Sequence, residues 1–103
     1  DSFMEIPADF PSACLALKVN DKSMEPKIPE GCYVFIEFNT PLENKDIALV
    51  DYNGKIMIRR YVIRKDGLGL RADNKDFEDI VLTDKDKYSF IGKILGTNTG
   101  LIF

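Results

Sequence analysis

Apolar residues run through this chain in short, β-branched pieces rather than at helical spacing. Seven such runs, at 14–19, 32–38, 46–52, 55–64, 67–71, 79–82 and 88–95, are bounded by turn-forming or charged residues. Each predicts a strand. Asn53-Gly54 lies between two runs, and because both residue types tolerate positive φ, a type I′ hairpin is expected there. Asp66-Gly67 predicts a second hairpin, and Asp84-Lys85-Asp86 a turn before the last long strand. No run carries a convincing amphipathic helix. The expected fold class is all-β, a small, partly closed antiparallel sheet. Residues 1–11 include Pro7 and Pro11 amid mixed polarity, so they read as an arm or linker ahead of one domain at 12–103.

A length of 103 residues suits one modest core, and 45% hydrophobic with 30% charged residues is ordinary for a globular domain. The formal net charge of -3 argues against gripping a phosphate backbone. DNA contact, if the parent protein makes any, is expected from another segment. The chain opens at Asp1 rather than at methionine, which fits a fragment with a missing N-terminal partner. No apolar run approaches the ~20 residues needed to cross a bilayer, and no basic-then-apolar leader occurs. The expectation is no membrane contact and a cytoplasmic location.

Histidine is absent, which excludes Ser-His-Asp and Cys-His catalysis and removes the commonest metal ligand. Cys14 and Cys32 do not form a CxxC pair and are expected to be buried thiols. Neither a metal nor a cofactor is expected. Hydrolytic chemistry would need a different base.

One stretch stands out: Val19-Asn20-Asp21-Lys22-Ser23-Met24-Glu25-Pro26 follows a predicted strand, and Pro29-Glu30-Gly31 leads into the next. It puts a serine on a turn. Alone, that is an ordinary setting for a turn-forming hydroxyl. Further blocks follow in order: Tyr33 to Ile36, Asp46 to Val50, the Asn53-Gly54 hairpin, the strand Lys55 to Tyr61 with Arg59-Arg60 near its end, then Leu70, Asn74, Phe77 and Ile80, and finally Phe90 to Gly96.

Over roughly residues 14 to 96 this order and spacing resembles the C-terminal serine-peptidase-like domain of the LexA, phage-repressor and UmuD family. The resemblance implies a strongly bent barrel of the kind shared with signal peptidases, and Ser23 as nucleophile. It also implies that the backbone N–H groups of Lys22 and Ser23 stabilise the oxyanion. Implied partners are a second copy of the chain, a RecA filament formed on damaged DNA in the SOS response, and DNA through an N-terminal domain outside this chain.

In that family a neutral lysine takes the serine proton, and its position falls here on Arg59. Arginine stays protonated at physiological pH, so the dyad is expected to be impaired. Lys55 lies on the same strand face, but four residues at ~3.3 Å rise put it about 13 Å away. Arg60 points to the opposite face. Arg59 is either natural, in a degenerate domain kept for self-association, or an engineered replacement of the family's lysine that traps the uncleaved form. Three alternatives remain: an active serine peptidase of the same family, self-cleaving with another base or acting on other proteins; Arg59 as a basic residue facing water with Ser23 a turn hydroxyl; and a β-barrel binding module in which Ser23 and Arg59 do not meet. Where the family often has a small Gly followed by Asp, Met or Asn before its serine, Asp21 and Lys22 stand here, and its usual Ala-Gly or Cys-Gly cleavage dipeptide occurs nowhere in the chain.

Overall fold

The computed structural model describes Phe10 and residues 15–103. Seven strands form one antiparallel sheet: β1 (Leu15–Lys18), β2 (Tyr33–Phe38), β3 (Ile47–Tyr52), β4 (Lys55–Arg64), β5 (Gly67–Arg71), β6 (Ile80–Val81) and β7 (Tyr88–Thr97). Their order across the sheet is β1-β2-β7-β3-β4-β5-β6, curled into a half-barrel, and there is no helix among the described residues. The all-β expectation holds, and every predicted run contains a strand.

The last long strand crosses to the middle of the sheet, where it pairs with both β2 and β3. That placement needs Gly92: a Cβ there would lie 2.7 Å from both the Glu37 carbonyl oxygen and Ile36 Cγ2. Register shifts at Phe35/Ile36 and Leu49/Val50 interrupt the two ladders beside it, and such irregularities bend a sheet.

Asn53 and Gly54 have φ of 50° and 86°, the paired positive values of a type I′ turn, and they join β3 to β4. The second hairpin also forms, with one adjustment. Lys65 and Asp66 make its turn, while Gly67, at φ 127°, already pairs with Arg64 as the first residue of β5. β7 runs two residues beyond the predicted end because Thr97 pairs with Val34, and the chain then folds back so that Gly96 bridges Ile102.

Two buried clusters hold the sheet. The larger joins Val34, Ile36, Ile47, Leu49, Ile58 and Ile94 to Val19, Met24 and Ile28 of the segment after β1. The smaller gathers Val50, Met57, Leu70 and Leu82 under the β4–β6 end. Truncating one of the fully buried isoleucines to alanine should cost about 2–5 kcal/mol. Cys32 is a free, buried thiol, as expected; Cys14 lies outside the described residues. Phe10, within the segment read as an arm, packs its ring against Phe35 in a tilted pair with ring centroids 4.7 Å apart. The rest of that segment lies outside the described residues.

Candidate active site

The segment between β1 and β2 is a string of turns fastened at both ends. Val19 N–H donates to the Cys32 carbonyl and Gly31 N–H to the Val19 carbonyl, both at 2.8 Å. Within it, Ile28 N–H donates to the Met24 carbonyl at 2.9 Å. Met24 and Ile28 are sunk in the large cluster, so the apolar residues on either side of the turn fix where Ser23 sits. Ser23 itself is fully buried.

Arg59 reaches Ser23 from β4, where it stands directly opposite the small Ala48 of β3. Its Nη1 donates to Ser23 Oγ at 2.7 Å and to the Ile58 carbonyl at 2.9 Å. Only 7% of Arg59 is exposed, which rules out the reading of a basic residue facing water. The contact with Ser23 likewise removes the alternative in which the two residues never meet. Lys55 is exposed at the far end of β4, across from Tyr52.

The hydroxyl is engaged on its other side as well. Ser23 Oγ–H donates to Asp21 Oδ1 at 2.8 Å, and the same carboxylate oxygen accepts the Ser23 backbone N–H at 3.0 Å. Burial lowers the pKa of Arg59, and the charge of Asp21 opposes that shift. Arg59 Nε is buried without a hydrogen-bond partner. A cleft of about 150 Å³ opens beside the turn, lined by Leu17, Val19, Asp21, Leu49 and Met57 among others. Asp21 is on its wall; Ser23 and Arg59 are not.

The peptidase S24-like family model matches residues 1–95. The chain belongs to that family. It is 35% identical to a LexA repressor of Thermosipho melanesiensis over 93% of this chain and 50% of the relative. It is 32% identical to a LexA repressor of Magnetococcus marinus over 80% of this chain and 36% of the relative. A LexA repressor of Thermotoga petrophila is 27% identical over 93% of this chain and 50% of the relative. The chain thus spans half or less of the length of these curated relatives.

The S24-like pattern of Leu70, Asn74, Phe77 and Ile80 acquires a physical meaning here. Leu70 is core, and Ile80 pairs with it across β5 and β6. Asn74 ties the loop between those strands to the serine turn: its N–H donates to the Ser23 carbonyl and its Nδ2 to the Lys22 carbonyl, both at 2.9 Å. The Phe77 ring covers the Arg59 guanidinium, 5.7 Å from centroid to Cζ. Sequence reasoning placed Ser23 and Arg59 and missed Asp21 as their neighbour. The available signal was an aspartate two residues before the serine, the spacing at which a carboxylate accepts a backbone N–H in an Asx turn.

Proposed function

We propose that this domain is the C-terminal regulatory and self-association module of a LexA-like transcriptional regulator, with its serine-lysine self-cleavage blocked by Arg59. The observation that carries this reading is the 2.7 Å contact between Arg59 Nη1 and Ser23 Oγ. In a working dyad a desolvated lysine sheds its charge and accepts the Oγ proton. Arg59 occupies that place as a donor with no lone pair to offer. It can only donate a hydrogen bond to Ser23 Oγ, so the nucleophile is held but not activated. The oxyanion would fall to the N–H groups of Lys22 and Ser23.

Under this reading the fold and its pairing with a second copy survive. A dimer raises the operator affinity of N-terminal DNA-binding domains by holding two of them together. The regulator works in the cytoplasm, and a RecA filament that stimulates cleavage in relatives leaves this one intact or cuts it very slowly. Incubating the parent protein at pH 10 tests the block, with gel electrophoresis as the readout. Intact protein over many hours is expected. Efficient self-cleavage that disappears in Ser23→Ala would overturn the proposal.

A further inference from the structure

Arg59 is not the only residue that keeps Ser23 still. We infer that Asp21 is a second, separate lock on the nucleophile, so that a lysine at position 59 does not by itself restore a reactive serine. The inference rests on the reading of Ser23 as the S24-like nucleophile.

Three features of Asp21 carry it. Its Oδ1 accepts the Ser23 hydroxyl proton at 2.8 Å, which points that proton away from position 59. The same oxygen takes the Ser23 N–H at 3.0 Å, one of the two donors an oxyanion would need. Its charge also favours the protonated form of any base at position 59, as it already does for Arg59. A neutral lysine requires the opposite, because a nearby anion raises the pKa of an amine. Asp21 further lines the cleft beside the turn, whereas Ser23 is buried behind it and does not.

The carboxylate and the guanidinium therefore hold Ser23 from two sides. Arg59 is desolvated, its Nε is unpartnered, and the nearby Asp21 charge offsets part of the cost of burying the cation. Ser23 is clamped between them, accepting from Arg59 and donating to Asp21.

A fluorophosphonate probe tests the lock on the 103-residue chain without needing a cleavage segment. In a reactive variant, Ser23 Oγ attacks phosphorus, fluoride leaves, and the hydroxyl proton passes to the neutral amine of the lysine introduced at position 59. The adduct is read as a mass gain localised to Ser23. Compared at pH 8.5 are the native chain, Arg59→Lys, Arg59→Lys with Asp21→Ala, Arg59→Lys with Asp21→Asn, and Ser23→Ala. Thermal unfolding of each shows that it is folded.

The double variant with Asp21→Ala should label at least tenfold faster than Arg59→Lys alone, and the native chain should not label. Asp21→Asn keeps the side-chain oxygen acceptor and removes the charge, so its rate should fall between the two. Amide hydrogen exchange gives a readout independent of chemistry: the Ser23 N–H should exchange at least tenfold faster in Asp21→Ala and remain protected in Asp21→Asn. Equal labelling of Arg59→Lys and the double variant overturns the lock while leaving the nucleophile in place. Unchanged Ser23 exchange in Asp21→Ala also overturns it. Absence of labelling in every variant overturns the nucleophile reading and the lock with it.

Discussion

Arg59 and Arg60 are neighbours on β4, yet their surroundings differ sharply: Arg59 is buried and Arg60 half-buried. Arg60 donates through Nε and Nη2 to the two oxygens of Asp73, at 2.9 and 2.7 Å, and through Nη1 to the Lys45 carbonyl at 2.7 Å. That fork-to-fork pairing is the arrangement in which a guanidinium is best satisfied. Hydrogen bonding to Asp73 raises its pKa. Arg59, on the other strand face, meets a neutral hydroxyl, a backbone carbonyl and an aromatic ring, and one of its nitrogens meets nothing. Burial lowers its pKa. The difference separates a residue kept for the fold from one that the fold tolerates, and rule-breaking of the second kind concentrates at functional sites.

The largest expected effect lies at the satisfied arginine. Asp73→Ala leaves Arg60 mostly buried with its bidentate partner gone and should cost about 2–4 kcal/mol, measured by urea unfolding at pH 7. The pH dependence follows from sign. Asp73 titrates below its ordinary value, chiefly because Arg60 donates to it. Its stabilisation is therefore complete above the unfolded value of about 3.9 and disappears as pH falls through the lower folded value. The gap in unfolding midpoint between the native chain and Asp73→Asn should close below about pH 4. A gap constant from pH 7 to pH 2 would mean that Asp73 acts by packing rather than by charge.

At the unsatisfied arginine the sign should reverse. Arg59→Met keeps the length of the side chain and removes a desolvated cation with an orphaned Nε, so stability should be unchanged or rise by about 1 kcal/mol. A loss above about 2 kcal/mol in the same urea assay would erase the contrast and place Arg59 among the structural residues.

The strands and the serine–arginine pair were legible because each rests on a local signal or an ordered one. Period-two runs broken by Asn53-Gly54 and by Gly67 specify hairpins, and the spacing of several motif blocks connected Ser23 and Arg59 across a separation of 36 positions. What the sequence concealed depends on crossings in space. Nothing local says that β7 pairs with both β2 and β3, although Gly92 is the residue that permits it. Asp21 offered only its Asx-turn spacing to Ser23 and its departure from the family pattern, since its role arises from a side-chain rotamer that points at Ser23. The same holds for Asn74 and Phe77, recognisable as a motif long before their contacts with the serine turn and with Arg59 gave the motif a cause.

The smallest effect concerns that aromatic cover. Phe77 is 36% exposed, too open to be a core residue, and its ring lies over the Arg59 guanidinium. A partly desolvated cation over an aromatic face is worth about 0.5–1 kcal/mol, so Phe77→Leu, which keeps apolar bulk and loses the π face, should destabilise by about that amount. The decisive measurement is the same substitution made in the Arg59→Met background. If the ring serves the cation, the cost of Phe77→Leu should fall to near zero once the charge is gone, because directly interacting residues are non-additive. An unchanged cost in both backgrounds would instead assign Phe77 to holding the loop that Asn74 fastens to the serine turn. Arg59 would then have lost one of its few favourable contacts, and its contrast with Arg60 would be wider still.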